Sequence, residues 1–150
     1  MRVYTVEDLK TFKRSDGGWL ICPSGDYSQI KSFDGKCSFD DVCSFGKYCS
    51  FLEECSFGKR CTFGDDCNLD NNHRFENIKE RAVRVLKIDG IGDRKNCIYF
   101  YKTSSRIYVR CGCFFGDIEE FENEVNDKHA AYEIYRKEYL EAIKFIKLVI

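Results

Sequence analysis

Ten cysteines and two histidines stand in a chain of 150 residues, and six of the cysteines share one spacing. Cys37, Cys43, Cys49, Cys55, Cys61 and Cys67 recur every sixth residue, and His73 takes the next place in the series. Thiols at this density serve metal ligation, disulfide bonding or the filling of a core. Structural zinc sites pair their ligands as C-x(2–4)-C, so that one knuckle supplies two corners of a tetrahedron. The uniform C-x5-C spacing builds no such knuckle, and no metal or cofactor is expected. Disulfides need an oxidising compartment. The opening "MRVYTVEDLKTFKRSD" mixes acids with bases and has no apolar stretch, unlike a secretory leader. No apolar run approaches the length of a membrane span. The expected address is therefore cytoplasmic, with free thiols acting as small, adaptable hydrophobes. The "CGC" at Cys111–Cys113 is expected to point both thiols into the core of a strand.

The elements that carry the cysteines follow from their neighbours. Phe33, Phe39, Phe45, Phe51, Phe57 and Phe63 keep the same six-residue phase, and Leu69 and Phe75 continue it. From Phe39 to Leu69 a cysteine stands two residues earlier, with Ser, Thr or Asn between. In a strand that spacing puts Cys and Phe on one face and the hydroxyl residue on the other. Gly46-Lys47, Glu53-Glu54, Lys59-Arg60 and Asp65-Asp66 read as solvated corners. A helix is excluded, because six residues would rotate successive phenylalanines by roughly 240°.

The hexads "FGKYCS", "FLEECS", "FGKRCT" and "FGDDCN" resemble the hexapeptide-repeat family, the left-handed parallel β-helix, with Cys in the small-residue slot. The departure is Phe where that family usually carries Ile, Val or Leu. The resemblance implies triangular coils of three hexads, about three coils in all. Residues three hexads apart would stack about 4.8 Å from one another. The implied columns are Cys37/Cys55/His73, Cys43/Cys61 and Cys49/Cys67. The family includes trimeric acyltransferases with a histidine at a subunit interface, so a short acyltransferase is the alternative function. Against it, the repeat has no loop insertion, His73 occupies a wall position, and His129 in "NDKHAAY" reads as solvated. "DGIGDRKN" holds Gly90 and Gly92 but lacks the third glycine of a dinucleotide fingerprint and reads as a hairpin loop. No catalytic residue is expected.

Three regions are expected around this repeat: an N-terminal cap over 1–26, the repeat over 27–80, and an α+β module over 81–150. In the cap, Thr5 and Asp8 form a capping box for a helix burying Val6, Leu9 and Phe12, and "GGWLICPSGDY" supplies a strand. The last region reads as β-β-β-α-α. Its strands are "RAVRVLKI" and the two arms of "CIYFYKTSSRIYVRCGC", followed by a helix begun by Asp117 that buries Ile118, Phe121 and Val125. A last helix from about residue 131 to 148 buries Tyr132, Tyr135, Tyr139, Ile143 and Ile146. The fold class is thus mixed β and α+β.

Charge is uneven. The net is −3 over residues 1–80, +6 over 81–110 and −4 over 111–150. The basic segment sets Arg84, Arg94, Lys95, Lys102, Arg106 and Arg110 among Tyr99, Tyr101 and Tyr108. Such a hairpin suits phosphate contact with base stacking, and suits an acidic protein surface equally. Pairing with the acidic helices of the same module is the alternative. "YVRCGCFFGDIEEFENEV" and "EYLEAIKFIK" are also similar to small proteins of phages and prophages. That resemblance implies a phage-encoded, non-catalytic inhibitor that counters a bacterial defence system from the host cytoplasm. Its partner would be a host protein or ribonucleoprotein, with nucleic-acid or nucleotide contact through the hairpin. No membrane is involved, and a homo-oligomer stays open.

Overall fold

The computed structural model describes residues 1–70, 72–93, 97–128 and 132–150. It is a mixed α/β chain with parallel sheets in its first half and an antiparallel sheet followed by two helices in its second. Contacts divide it into two units, Met1–Val83 and Arg84–Ile150, called below the repeat unit and the α+β unit.

In the repeat unit the Ser-Phe and Thr-Phe pairs form very short strands. After β1 (Leu20–Cys22) come β2 (Ser32–Phe33), β3 (Cys37–Phe39), β4 (Ser44–Phe45), β5 (Ser50–Phe51), β6 (Ser56–Phe57) and β7 (Thr62–Phe63). They join as three parallel ladders, β1-β3-β6, β2-β5 and β4-β7. Ser32 lies opposite Ser50, Ser38 opposite Ser56, and Ser44 opposite Thr62, so these hexads pair with the ones three hexads on. The strands end early because the chain bends left-handed before most of the cysteines. Val42, Tyr48, Arg60, Asp66 and Asn72 all have φ between 57° and 62°. Asn and Asp tolerate that region, whereas a β-branched residue such as Val42 is out of place there. Close stacking of the rungs also explains a glycine after phenylalanine. A Cβ on Gly64 would fall 2.6 Å from the Gly46 carbonyl carbon and the Lys47 nitrogen.

The phenylalanines pack by one rule. Rings three hexads apart lie parallel: Phe33 on Phe51 at 5.4 Å, Phe39 on Phe57 at 5.2 Å, Phe45 on Phe63 at 5.2 Å. Rings one hexad apart meet edge to face, Phe39 with Phe45 at 4.8 Å and Phe57 with Phe63 at 4.9 Å. Both geometries follow the ring quadrupole and add about 0.5–1.5 kcal/mol per pair beyond simple burial. The β2-β5 ladder is closed by a side chain. Asn68 accepts the Phe51 N–H through Oδ1 at 2.7 Å and donates from Nδ2 to the Phe51 carbonyl at 3.2 Å, replacing a further peptide. At the other end α1 (Val6–Leu9) starts with the Thr5 N–H donating to Asp8 Oδ2 at 2.8 Å. The helix is shorter than its pattern suggests and buries nothing fully; Val6 is exposed, contrary to expectation. Tyr4 and Tyr27 stack at 5.0 Å and continue the aromatic pile instead.

The α+β unit holds β8 (Arg84–Ile88), β9 (Ile98–Lys102), β10 (Ile107–Cys111), β11 (Phe114–Asp117), α2 (Ile118–Lys128) and α3 (Glu133–Val149). Its sheet is antiparallel in the order β11-β10-β9-β8. One face carries Leu86, Phe100 and Val109 in a row, with Ile88, Ile98 and Cys111 in the next like row. The core joins Ile98, Phe100 and Val109 to Ile118, Phe121 and Val125 of α2 and to Tyr139, Ile143 and Ile146 of α3. Asp117 caps α2 as expected: its Oδ1 accepts the Glu120 N–H at 2.8 Å, and Glu120 Oε1 accepts the Asp117 N–H at 3.1 Å. The sequence pattern missed β11. Gly112, at φ 58°, and Cys113 make a tight turn, and the chain folds back as a fourth strand. Cys113 is consequently exposed rather than core-facing. Tyr132 precedes α3 and is exposed, so the buried stripe of that helix begins at Tyr135. Among the described residues no helix is long and apolar enough to cross a membrane.

Candidate functional site

The thiols that drew attention first are enclosed. Cys22, Cys37, Cys43, Cys49, Cys55 and Cys61 are buried free thiols. Cys37 neighbours both Cys22 and Cys55, while Cys61 neighbours Cys43. The hydrogen bond Cys55 gives to Cys37, together with burial, pushes its thiol far up, and the same causes act on Cys22. Burial pushes the Cys49 thiol up to about 12. Several thiols also donate to carbonyls, Cys43 to Asp40 at 3.1 Å and Cys67 to Gly46 at 3.2 Å. Cys37, which accepts from the Cys22 and Cys55 thiols, and Cys43, which accepts from Cys61, are instead held below the usual thiol range, but they too are buried, and thiolate reactivity needs exposure as well as a lowered pKa. Among the described residues no three His, Cys, Asp or Glu side chains are grouped to hold a metal ion.

His73 continues the Cys37/Cys55 column and is fully buried. Its Nδ1 accepts the Cys55 N–H at 3.0 Å, and Phe51 and Phe57 close on its ring at 5.7 Å. Burial lowers its pKa and keeps the ring neutral. A histidine so enclosed offers no face to an acyl donor. His129 lies outside the described residues.

The basic hairpin is spent largely on its own unit. Arg84 Nη1 donates to the Val149 carbonyl at the end of α3, where a cation also meets the negative end of the helix dipole. Arg110 is buried; its Nη1 donates to the carbonyls of Cys113 at 3.3 Å and Phe114 at 3.1 Å, and its guanidinium lies 5.0 Å from the Phe115 ring centre. Arg106 is paired with Asp117 at 3.8 Å. Tyr99 and Tyr101 are buried and stacked on one another at 6.1 Å, so neither can receive a base. Tyr108 is half-buried against Phe115 at 5.8 Å, and Lys102 is half-buried. Arg94 and Lys95 lie outside the described residues. The expected stacking platform is therefore not assembled by Tyr99, Tyr101 and Arg110, because alternation aims Tyr99, Tyr101 and Arg110 at a covered face of the sheet.

What the α+β unit does open is a cleft of about 380 Å³. That volume lies within the range of small-ligand pockets. Phe114, Phe121 and Tyr139 form an aromatic floor, Phe114 and Phe121 at 5.4 Å and Phe121 and Tyr139 at 5.8 Å. Cys111, Gly112 and Cys113 give one wall, Val125 and Tyr132 line another side, and Asp93, Glu124 and Lys128 give the polar rim. Each part has a local cause. The Gly112 turn brings Phe114 back beside Cys111, and the i, i+4 step of α2 sets Phe121 with Val125 and Glu124 with Lys128. The Tyr139 hydroxyl donates to Asp93 Oδ1 at 2.9 Å, and burial followed by that bond pushes the phenol up. Gly92, whose N–H donates to Glu138 Oε1 at 2.8 Å, ties the Asp93 loop to α3. Lys128 pairs with Glu124 at 2.7 Å, which leaves the rim with one net negative charge. Sequence reading passed over this site, although "CGC" and the loop "DGIGD" were its signals.

The repeat unit has a larger groove of about 610 Å³ along the outer face of β1, β3 and β6, lined by Ile21, Ser38 and Ser56. Its carboxylates are occupied with local backbone: Asp41 Oδ1 accepts the Lys59 N–H at 2.7 Å, and Asp40 Oδ1 accepts the Asp41 N–H at 2.7 Å. The α+β cleft, with its aromatic floor, is the stronger candidate. Comparison of the chain with protein-family models, curated proteins and solved structures finds no match, so these sites rest on the geometry alone.

Proposed function

We propose that the protein is a non-catalytic binding protein and that the α+β cleft receives an apolar or aromatic anchor of a partner chain beside a cationic group. The aromatic floor of Phe114, Phe121 and Tyr139 under an acidic rim carries this reading. Anchors of this kind dominate the energy of protein interfaces. The parallel pairs β2-β5, β3-β6 and β4-β7, each stepping three hexads, support a short β-helix as the architecture of the repeat unit. The wider role, a phage-encoded inhibitor of a bacterial defence system, is proposed from the sequence resemblance alone, since no family, curated protein or solved structure matches the chain.

The test is affinity capture from bacterial lysate, with and without nuclease treatment, followed by titration of the captured partner. Tyr132→Ala with Asp93→Arg, both at exposed rim positions, should weaken binding at least about tenfold, roughly 1.4 kcal/mol. Lys102→Glu with Arg106→Glu should leave it nearly unchanged. The opposite pattern, or loss of the partner on nuclease treatment, would return the site to the basic hairpin. Arg110→Glu belongs in neither arm, since it would strip two carbonyls of their donor inside the unit.

A further inference from the structure

The aromatic rings of the α+β cleft point in different directions. Phe114 and Phe121 are tilted by 42° with centres 5.4 Å apart, and Phe121 and Tyr139 meet edge to face at 80° and 5.8 Å. Tyr132 is exposed and Phe114 half-buried, so these two are the accessible walls, with Phe121 and Tyr139 as the floor. Neither of the two ring pairs is parallel, so they do not sandwich a flat guest. A rounded group, by contrast, meets ring surface on several sides at once.

The charges set the sign of that group. Asp93 and Glu124 line the cleft against one cation, Lys128, which pairs with Glu124 at 2.7 Å. Ring faces are themselves negative and attract a cation lying within about 6 Å of the ring centre. Tyr139 strengthens this, because a hydroxyl that donates to a carboxylate leaves its ring richer in electrons. The same acids choose between cations. Asp93 already accepts the Tyr139 hydroxyl, Glu124 is already paired with Lys128, and among the described residues the lining has no further carboxylate. A bare ammonium brings three N–H donors that need acceptors. A fully methylated ammonium brings none, and its methyl groups carry the charge onto the rings.

We propose that the α+β cleft binds a fully methylated ammonium group, held against Phe114 and Tyr132 over the Phe121 and Tyr139 floor and balanced by Asp93 and Glu124. The proposal rests on the reading of this cleft as the partner site and names the chemistry of the anchor. A free choline-like molecule and a trimethylated lysine of a partner chain both carry that group.

Amide NMR of the isotope-labelled full chain tests this with two probes, choline and its neutral carbon isostere, in which a tert-butyl group replaces the trimethylammonium. The two share one shape, so the ratio of their affinities reads the charge. Choline should bind at least about fivefold tighter, with shifts at the Gly112 and Cys113 amides. Glu124→Lys should erase the preference and Lys128→Gln should widen it roughly threefold, while neither moves the isostere. Both variants act at a partly solvated ion pair of α2, so the fold is retained. A short peptide with trimethyllysine, set against the same peptide with plain lysine, finds the source. Binding tighter than choline puts the group on a partner chain. Binding no tighter gives it to a free molecule, and then the partner-chain reading falls while this proposal stands. An isostere that binds as well as choline, a preference indifferent to Glu124→Lys, or no binding of either probe overturns the proposal. The cleft reading survives those results if the captured partner still responds to Tyr132→Ala with Asp93→Arg.

Discussion

In the repeat unit, Cys55 and Phe57 are one residue apart and both fully buried; in the α+β unit, Cys111 and Cys113 are one residue apart and only Cys111 meets the core. The difference lies in the residue between them. Ser56 is extended, so alternation carries through and both neighbours face inward. Gly112 is left-handed and opens a turn, so alternation stops there and Cys113 swings out to a cleft wall. Alternation thus reports burial only as far as the backbone stays extended. In the repeat unit the left-handed residues stand at corners just before most of the cysteines, and the alternation between them survives. In consequence one unit locks its thiols into walls, and the other places a thiol where a ligand can reach it.

The largest effect that can break this comparison is a lesion in the aromatic pile. Phe57 meets the rings of Phe39, Phe45, Phe51, Phe63, His73 and Phe75. Phe57→Ala should cost about 3–5 kcal/mol, read as a lower midpoint in urea. Tyr132→Ala, at the rim of the cleft, should stay within about 0.5 kcal/mol. If the two losses were alike, the contrast between wall residue and site residue would fail.

Much of the fold is legible because the repeat states its own geometry. A six-residue period in Phe and Cys excludes a helix, fixes which side chains go inward, and anticipates the parallel rungs of Ser38 with Ser56. The cap of α2 by Asp117 is legible for a local reason, since Asp-x-x-Glu satisfies two backbone donors within one turn. The cleft is not legible, because it depends on Asp93, Cys113, Phe121 and Tyr139 meeting across four elements. Nor could spacing tell a solvated arginine from Arg110, which alternation aims at a covered face. Val6 misled for the opposite reason: its pattern is amphipathic, but a four-residue helix has too little face to bury it.

A smaller effect separates the wall column from the cleft by pH. His73 is held neutral by burial, so its folded pKa lies below the unfolded value near 6.5. Above that value both states are neutral and the stability is fully present. Below it the unfolded chain binds the proton first, and stability falls with pH, by at most about 1.4 kcal/mol per unit, until the depressed folded pKa is reached. His73→Asn offers Cys55 an acceptor without a titrating ring, and should flatten this acid limb in a series of urea midpoints. Cys49 acts with the other sign: pushed up to about 12, it withdraws stability as pH rises above the unfolded thiol value near 8.5. An acid limb that survives in His73→Asn would place the titrating group outside the wall.

The smallest effect concerns the corners themselves. Val42 and Asn72 hold the same left-handed backbone, φ 59° and 57°, in equivalent places before Cys43 and His73. The conformation costs an ordinary residue about 1–2 kcal/mol and costs asparagine less. Val42 is exposed, so little burial offsets its strain. Val42→Asn should therefore raise stability by about 1 kcal/mol, shifting the urea midpoint with the slope unchanged. Asn72→Val should lose a similar amount, because the corner and not the side chain's contacts sets the cost. If Val42→Asn instead destabilises, the valine is held by packing, and the corner is part of the wall rather than the hinge between walls.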